Sequence, residues 1–466
     1  MLTSVSNLYN PSPENKNIPV NSSSINKISS GFFSKILSFL SAIISRNGLN
    51  TIYNSLKTLI VFLFKPVIFY LCILLYPFSL LFSESMDINK MSLEEKIGQI
   101  LIVHFNGETP NQDAETLINS LHVSGICYYE WANGLINPQQ VQKLSNDLQK
   151  MAEKTSHIPL FICTDQEGGK VARLHNGFTL FPGNSVLQKI DDPVLTYACA
   201  EAMAEEMQAV GVNFDLAPVV DITNEKSFLY KRSFGENPEK VIRHASAFLN
   251  GLKSKNVLSC LKHFPGYGST EKDAHEDLPV VLKSKTLLQE CDLQPYIQLK
   301  KIAPSIMTAH IKVYAYDKEN CASLSPIILT DLLRKQIGYE GVVISDSLVM
   351  EAIVKTCLSF EEAAILAFNA GCDIILLGGK QLFGCNKDLE IKVEDVKRIA
   401  LAIKTAVKTG RIAEDRLNAS VERILKLKEK LTFSYPNEKD IQAKIMTPEH
   451  LELSKKLIQL SDQKSQ

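Results

Sequence analysis

The sequence lacks the motifs that mark several common classes of enzyme. The HExxH pattern of zinc peptidases is absent, because Pro279 stands where the second histidine after His275 would be required. Neither the GxSxG turn of serine hydrolases nor the GxxxxGKS/T loop of phosphate-binding nucleotidases occurs. The sequence therefore indicates no metal site and no cofactor.

Cysteine is too sparse for a disulfide scaffold. The chain has ten cysteines in 466 residues, with no CxxC pair, and several of them lie inside apolar runs. We expect most of them to be buried free thiols, which favours a reducing compartment.

The chain also lacks a net charge that would indicate a nucleic-acid partner. It has 50 basic and 51 acidic side chains, a formal charge of -1, so we expect no nucleic-acid binding. The charges are unevenly distributed. Residues 1–85 have six basic and two acidic side chains, whereas residues 86–466 have 44 basic and 49 acidic ones. A basic, apolar N-terminal piece thus precedes a mildly acidic body.

The N-terminal piece indicates a membrane anchor. Residues 1–58 combine a disordered, polar start with a 13-residue apolar stretch at 32–44, which is too short to span a bilayer and fits an interfacial helix. Residues 59–82 form a 24-residue apolar segment whose only charge is Lys65, long enough to cross a hydrocarbon core of about 30 Å. We therefore predict a transmembrane helix at 59–82; a hydrophobic hairpin packed on the body or on a membrane surface is the alternative.

The charges that flank this segment predict its orientation. Basic residues precede the apolar core, whereas Glu84 and Asp87 follow it. The positive-inside rule then leaves the N-terminus in the cytoplasm and places the body outside. The predicted location is a single-pass protein of a bacterial inner membrane with a periplasmic body, and the free thiols keep a cytoplasmic body open as the alternative.

The body, residues 88–433, alternates short apolar runs with amphipathic segments, which is typical of an α/β fold with parallel strands. Helices are predicted at 194–210, 238–254 and 359–370, and a Ser92/Glu95 capping box opens the first helix. Eight runs predict a (β/α)₈ TIM barrel, with a doubly wound open sheet as the alternative. The runs are 100–105, 125–129, 159–163, 214–220, 258–261, 305–308, 342–345 and 373–377. Residues 434–466 read as a C-terminal tail with a short helix that Thr447 caps.

Polar residues stand where several of these runs end. Active sites of (β/α)₈ barrels lie in the loops after the carboxyl ends of the strands, so these residues predict a pocket. They are Asp165, Asp221, Arg232, Lys262, His263, His310 and Asp346.

The longest of these segments resembles a known signature. Residues 262–268 read KHFPGYG and are followed by Asp273, Ala274 and His275, a pattern similar to that of the β-N-acetylhexosaminidases of glycoside hydrolase family 3. Further segments match in order, namely DQEGG at 165–169, NFDLAPVVD at 213–221, RSFG at 232–235, MTAH at 307–310 and ISDSL at 344–348. The resemblance spans about residues 90–430.

The resemblance implies a catalytic set. It implies that Asp346 is the nucleophile, His275 the general acid/base and Asp273 the carboxylate that orients His275. The chemistry is reasonable, because a histidine with an ordinary pKa of about 6.5 can both hold a proton for the leaving oxygen and later deprotonate water. Retaining hydrolysis needs such a nucleophile and a proton donor on the opposite side of the sugar.

The resemblance also implies how the sugar is held. It assigns the hydroxyls and the N-acetyl side to Asp165, Arg232, Lys262 and His263. Asp221 either contacts the sugar or orients Arg232, and His310 either contacts it or is a pocket wall. Three positions depart from the usual pattern: Tyr267 replaces His or Asp, Ala274 replaces Ser, and Ser347 replaces Asp.

The activity that the resemblance implies is a retaining exo-β-N-acetylglucosaminidase that removes terminal β-linked GlcNAc by way of a covalent glycosyl-enzyme. The implied substrates are peptidoglycan fragments such as GlcNAc-anhydro-MurNAc, handled by a single catalytic domain. Two alternatives stay open: a β-N-acetylglucosaminide phosphorylase on the same scaffold, and a non-catalytic, membrane-anchored sugar-binding protein.

Overall fold

The computed structural model describes residues 87–270, 274, 278–381 and 387–464. The predicted interfacial and transmembrane segments, at 32–44 and 59–82, lie outside these residues. Within the described part of the chain, no helix combines the length and the apolar character that crossing a bilayer requires.

Eight parallel strands form the centre of the body, one in each predicted apolar run. They are β1 Leu101–Val103, β2 Gly125–Cys127, β3 Phe161–Thr164, β4 Phe214–Asp215, β5 Cys260–Phe264, β6 Ser305–Thr308, β7 Val342–Ile344 and β8 Ile375–Leu376. All are buried, which explains their continuous apolar runs. The predicted parallel α/β fold is confirmed.

The strands pair in the order in which they follow one another. One sheet has the order β8-β1-β2-β3-β4 and a second has the order β5-β6-β7. Parallel bridges Phe214↔Leu258 and Val219↔Lys262 connect the first sheet to the segment of β5. A third parallel bridge, Ile344↔Ile374, connects β7 to the residue before β8. Consecutive strands are thus neighbours, and the first and last strands are neighbours too.

The helices between the strands begin where the sequence indicates. The predicted helices are present at Pro193–Ala209, Pro238–Ser254 and Phe360–Ala370, and both halves of the Ser92/Glu95 capping box form. Proline occupies the first turn of three long helices behind an Asn or Asp cap, where its missing N–H costs nothing. The remaining α-helices are Leu93–Gln99, Gln112–Glu115, Glu130–Asn133, Pro138–Thr155, Asn184–Ile190, Lys285–Leu287, Gln294–Leu299, Glu351–Val354, Val393–Lys408 and Glu414–Lys428. Helical turns of other types occur at Ile88–Lys90, Thr116–Ser120, Tyr230–Arg232, Leu288–Asp292, Ala322–Leu324 and Ile327–Ile337.

The C-terminal tail is more structured than the predicted short helix. It contains two helices, Glu438–Lys444 and Pro448–Gln463, and Thr447 caps the second one as predicted. The buried carboxylate of Glu206 accepts hydrogen bonds from the backbone N–H of Met446, at 3.0 Å, and is 3.0 Å from Nδ1 of His450. The predicted tail helix behind Thr447 is thus present, and its start contacts a buried carboxylate of the body.

The cysteines match the prediction. The eight cysteines in the described part of the chain are free, and six of them are buried.

Two small strand pairs supplement the central strands. Gln166–Gly168 pairs antiparallel with Val171–Ala172, and Val280–Val281 pairs parallel with Lys312–Val313. The first of these pairs lies directly after β3, so it extends the strand end that faces the predicted pocket.

Candidate active site

A cavity of about 590 Å³ lies at the carboxyl ends of the central strands. Five of the seven strand-end residues predicted from the sequence line it: Asp165, Arg232, Lys262, His263 and Asp346. Asp165 directly follows β3, Lys262 and His263 belong to β5, and Asp346 stands two residues after β7. Residues up to 181 positions apart in the sequence thus meet because their strands are parallel and neighbouring.

Four charged side chains form what we call the pocket cluster: Asp165, Glu167, Arg232 and Lys262. Asp165, Arg232 and Lys262 line the cavity, and the buried Glu167 contacts Arg232 and Lys262. Nζ of Lys262 lies 2.7 Å from Oδ1 of Asp165 and 2.7 Å from Oε1 of Glu167. Arg232 donates two hydrogen bonds to Glu167, from Nε at 2.9 Å and from Nη2 at 2.8 Å. This paired geometry fixes the plane of the guanidinium group.

Ion pairing within the pocket cluster outweighs the cost of burial. Burial by itself raises the pKa of Glu167, but Arg232 and Lys262 hold that pKa far below its ordinary value. Lys262 likewise lowers the pKa of Asp165 against the effect of burial. In turn, the two carboxylates raise the pKa of Lys262 although burial lowers it. All four groups are therefore charged at neutral pH, with two charges of each sign.

A third acidic residue lies next to the pocket cluster. Asp215, at the end of β4, is fully buried, and burial raises its pKa well above the ordinary value. Its Oδ1 accepts a hydrogen bond of 2.9 Å from the backbone N–H of Gln166, while Oδ2 has no hydrogen-bond partner among the described residues. Burial therefore disfavours the charged form of Asp215.

Asp221 positions His263 and does not contact Arg232 in the way that the sequence suggested. Its Oδ2 lies 2.7 Å from Nδ1 of His263, and its Oδ1 accepts a 2.7 Å hydrogen bond from the backbone N–H of Tyr267. The backbone N–H of His263 also points to this carboxylate, at 3.2 Å from Oδ2. Because a carboxylate only accepts, Nδ1 of His263 carries the proton and Nε2 is left for a ligand.

His310 is buried and is not among the residues that line the cavity, so both of its interpretations from the sequence stay predictions. Its Nε2 lies 2.9 Å from the carbonyl oxygen of Ser347, which can only accept, so Nε2 is the donor. Nδ1 then accepts from the hydroxyl of Ser323 at 2.7 Å. His310 thereby holds the backbone of Ser347, the residue after Asp346, by a hydrogen bond.

Asp346 faces the cavity with one of its oxygens already engaged. Its Oδ1 accepts a 2.7 Å hydrogen bond from the backbone N–H of Ser347. The hydroxyl of Ser347 in turn donates to the carbonyl oxygen of Gly378, in the loop after β8. The departure from the usual residue at this position therefore ties together two neighbouring strand ends.

The predicted acid/base pair, Asp273 and His275, lies outside the described residues. Ala274, which separates them in the sequence, is described and is buried. Its carbonyl oxygen accepts a 3.2 Å hydrogen bond from the backbone N–H of Ala352, in the helix that follows Asp346. Ala274 therefore lies beside the loop that carries the predicted nucleophile.

Two groups of pocket residues escaped the sequence analysis. Glu167 belongs to a quoted motif but had no assigned role, although Gly168 after it was a signal: this glycine has φ +83°, and a Cβ there would lie 2.5 Å from the carbonyl oxygen of Pro182. Arg173 and Trp131 also line the cavity, and no motif in the sequence marked them. No group of three or more side chains suited to hold a metal ion occurs within the part of the chain that the structure describes.

One known protein family matches most of this chain. The model described as glycosyl hydrolase family 3 N terminal domain matches residues 92–427, which include every strand-end residue discussed above.

Relatives with known names agree with that match. Beta-hexosaminidase A of Pseudoalteromonas piscicida is 33% identical over 362 residues, which cover 73% of this chain and 59% of that protein. Beta-hexosaminidase of Mannheimia succiniciproducens is 34% identical over 285 residues, 59% of this chain and 80% of that protein. Among solved structures, a glycoside hydrolase family 3 beta-N-acetylglucosaminidase from Paenibacillus sp. str. FPU-7 matches with a TM-score of 0.72 and 35% identity, over 80% of this chain and 69% of that one.

Proposed function

The chain belongs to glycosyl hydrolase family 3, and from this membership we propose that it is a retaining exo-β-N-acetylglucosaminidase that hydrolyses terminal β-linked GlcNAc. The membership confirms the prediction of a glycoside hydrolase. One observation supports the finer assignment: Asp346 lines the same cavity as three members of the pocket cluster, Asp165, Arg232 and Lys262. A carboxylate beside a group of fixed charged donors and acceptors is what a neutral sugar with several hydroxyls requires.

The pocket cluster binds the terminal sugar in this proposal. Asp165 accepts from sugar hydroxyls, while Lys262 and Arg232 donate to sugar oxygens. Their mutual ion pairs fix these groups before the sugar arrives, so little side-chain entropy is lost on binding. In the tautomer that Asp221 imposes, Nε2 of His263 accepts a hydrogen bond from one further hydroxyl of the sugar.

Asp346 attacks the anomeric carbon in the first step. One of its carboxylate oxygens forms a bond to C1 while the bond from C1 to the leaving oxygen breaks, and His275 gives its proton to that oxygen. The N–H of Ser347 holds one Asp346 oxygen in place, which limits rotation of the carboxylate during attack. In the second step water gives a proton to His275 and attacks C1, which releases Asp346. Two inversions give net retention.

The proposal includes the architecture around the site. We infer that the eight strands close into a (β/α)₈ barrel, which is supported by the parallel bridges that join the two sheets at both edges. The barrel covers residues 88–433, residues 434–466 form the tail, and residues 59–82 form a transmembrane anchor behind the polar region 1–58. The anchor rests on the sequence argument alone.

The substrate and the location are proposed with the activity. Peptidoglycan fragments such as GlcNAc-anhydro-MurNAc are the proposed substrates, and the proposed location is the bacterial inner membrane with a periplasmic catalytic domain. Protease digestion of intact and permeabilised cells tests the location. Cleavage of the body in intact spheroplasts is expected, and protection there would assign a cytoplasmic body.

The activity is tested with the full chain and its Asp346→Asn variant. We expect the full chain to release GlcNAc from 4-nitrophenyl β-GlcNAc with retention, as followed by NMR of the first-formed anomer. Asp346→Asn should lower kcat by at least about 10⁴-fold, because amide oxygen is a poor nucleophile. Near-normal turnover by the variant excludes Asp346 as nucleophile. Formation of GlcNAc-1-phosphate in added phosphate would instead assign a phosphorylase, and binding without turnover would assign a sugar-binding protein.

A further inference from the structure

Trp131 lies at the rim of the candidate active site. It is the only tryptophan of the 466-residue chain, and it belongs to the helix after β2, Glu130–Asn133. Its ring stacks on that of Tyr129, with centroids 5.5 Å apart, and lies edge-on to that of His104 at 5.1 Å. Even so, 37% of Trp131 is exposed, although tryptophan is usually highly buried. A well-packed aromatic side chain that lines the cavity is thus partly open to solvent.

The ammonium group of a lysine lies over this ring. Nζ of Lys380 is 5.1 Å from the ring centroid of Trp131, which is the geometry of a cation–π contact. Lys380 follows β8 and also lines the cavity. Its carboxylate neighbour in the described part of the chain is Asp388, whose side chain is 66% exposed and lies 3.5 Å away. Exposed pairs of this kind are weak, so the ammonium group can exchange this partner for an anion of a ligand. We call Trp131 and Lys380 the rim pair.

Three other cations among the described residues line the cavity, and each has a carboxylate of the pocket cluster as its neighbour. Two of them belong to the cluster itself. The third, Arg173, has its Nη2 3.9 Å from Oδ2 of Asp165. The acidic residue next to Trp131, Glu130, has a neighbour of its own, because its Oε1 lies 3.4 Å from Nε2 of His175. Lys380 is therefore the lining cation that is most available to a charged group of a ligand.

Burial distinguishes the two ends of the cavity. The side chain of Lys262, in the pocket cluster, is 2% exposed, whereas that of Lys380 is 30% exposed. In the proposed function the pocket cluster holds the terminal sugar, which puts that sugar at the closed end. The leaving group then extends from C1 toward the open rim, because it must separate into solvent once its bond to C1 is broken.

The loop after β8 brings the rim pair next to the predicted nucleophile. The hydroxyl of Ser347, the residue after Asp346, donates to the carbonyl oxygen of Gly378. Gly379 has φ +107°, and a Cβ there would lie 3.1 Å from Oγ of Ser347. Glycine is suited to both this backbone conformation and this close approach. Lys380 is the next residue, so the rim pair lies beside the loop that carries Asp346.

We propose that the rim pair selects the leaving group: Lys380 binds an anionic substituent of the leaving sugar, and the indole ring of Trp131 positions the ammonium group. The proposal rests on the proposed function, which puts the terminal sugar on the pocket cluster. It names a chemical class of leaving group, a sugar that carries a carboxylate. A carboxylate fits because an ammonium group donates strong, charge-assisted hydrogen bonds to it.

Two disaccharides that differ by one charge test this selectivity. GlcNAc joined through a β-linkage to N-acetylmuramic acid carries a carboxylate on the leaving sugar, and its methyl ester is neutral but otherwise the same. We expect the full chain to hydrolyse the acid with a kcat/KM about 10-fold above that for the ester, which corresponds to one charge-assisted hydrogen bond.

Three variants assign that ratio to the rim pair. Lys380→Met keeps the methylene chain and removes the charge, so the ratio of kcat/KM for acid to ester should fall to about 1. Trp131→Leu removes the face that holds the ammonium group and should lower the ratio by about 3-fold. Lys170→Met, an exposed change that does not line the cavity, is the matched control and should preserve the ratio.

The emission of Trp131 provides a readout that a general structural role would not change. Because the chain has no other tryptophan, selectively excited tryptophan emission reports on the rim pair alone. In the Asp346→Asn variant, which we expect to be inactive, the acid should change this emission by drawing the ammonium group off the ring. GlcNAc, which reaches only the pocket cluster, should change it little. With Lys380→Met added, the acid should have no larger effect than the ester.

The outcomes distinguish this proposal from the function on which it rests. Equal kcat/KM for acid and ester in the full chain overturns the role of the rim pair and leaves the proposed function intact. An unchanged ratio in Lys380→Met also overturns it, because another group then recognises the carboxylate. If the full chain hydrolyses no β-linked GlcNAc, the proposed function fails, and the emission titration still decides whether Lys380 binds the carboxylate.

Discussion

Among the residues that the structure describes, two ionic clusters at opposite ends of the strands differ in what their polar atoms contact. The pocket cluster, at the carboxyl ends, pairs two carboxylates with two cations on the wall of a cavity. The second, which we call the basal cluster, surrounds Asp373 just before β8. This carboxylate is completely buried and contacts the guanidinium groups of Arg334, Arg416 and Arg423.

Side chains of the basal cluster also form hydrogen bonds with backbone groups. Arg334 also donates to the carbonyl oxygen of Tyr339 at 2.8 Å, and Arg416 donates to that of Cys372 at 2.7 Å. Asp373 itself accepts from the backbone N–H of Val343, in β7, at 3.0 Å. None of these side chains lines the cavity of the candidate site. The basal cluster therefore joins β7, β8 and two helices, whereas the pocket cluster presents charged groups to a ligand.

The largest effect should come from breaking the basal cluster. Asp373→Asn leaves three arginine side chains without their shared carboxylate, and we expect the free energy of unfolding to fall by about 3–5 kcal/mol. In urea titrations, the control Glu422→Gln, which removes an exposed pair with Lys426, should change it by less than about 0.5 kcal/mol. The folded Asp373→Asn variant should keep kcat/KM within about 2-fold; a large loss of activity without a loss of stability would contradict the assigned contrast.

Breaking the pocket cluster should give the reverse pattern. Glu167→Gln removes the partner that fixes Arg232 and Lys262, so we expect kcat/KM to fall by about 100-fold, or about 2.7 kcal/mol of transition-state stabilisation. Its effect on unfolding should be smaller than that of Asp373→Asn, because Lys262 keeps Asp165 and Arg232 is partly exposed. Asp373→Asn is the matched control. Unchanged kcat/KM in Glu167→Gln would contradict the proposed role of the pocket cluster in sugar binding.

Two buried lysines sharpen the comparison through pH. The pKa of Lys262 is raised by its carboxylates, whereas Lys428 lies near the start of β2 with Gln99 and the carbonyl oxygen of Ser124 as its hydrogen-bond partners, and burial lowers its pKa well below the ordinary value. The unfolded chain therefore binds a proton at Lys428 that the folded chain does not. Stability from this group is full above the unfolded pKa of about 10.4 and is lost as pH falls toward the folded pKa.

Lys428→Met should remove that pH dependence. We expect it to raise the free energy of unfolding by about 1–2 kcal/mol at pH 7 and to flatten its increase between pH 7 and pH 10. Lys426→Met, an exposed change on the same helix, should leave both quantities unchanged within about 0.5 kcal/mol. Denaturant titrations across this pH range provide the measurement, and an unchanged slope in Lys428→Met would show that the folded protein does not lower the pKa of Lys428.

The smallest effect concerns a neutral partner of the basal cluster. The hydroxyl of Ser420 donates to Oδ1 of Asp373 at 2.7 Å, so Ser420→Ala should lower the free energy of unfolding by about 1 kcal/mol. Activity should be unchanged. A loss as large as that of Asp373→Asn would mean that hydrogen bonds, rather than charge neutralisation, stabilise this end of the molecule.

Local signals in the sequence predicted much of the fold. Each apolar run overlaps its strand, although Phe161–Thr164 and Cys260–Phe264 extend beyond the predicted ends. The Ser92/Glu95 box and the Thr447 cap form as expected, because these features depend on residues within a few positions of one another. The contact between the tail helix and the body was not predictable, because the partner of His450 is Glu206, 244 positions away. The same limit affected Asp221, whose partner is His263 and not Arg232.

The sequence by itself determined the strands, most helix starts and the order of the motifs that define the family. Only the tertiary structure decided which charges meet: that Glu167 joins Arg232 and Lys262, that Asp373 gathers three arginines, and that Tyr267 contacts Ala274. The physical reason is range. Helix caps and strand runs depend on residues that are close together in the sequence. An ion pair across parallel strands depends instead on which strand ends become neighbours and on how far each side chain can reach.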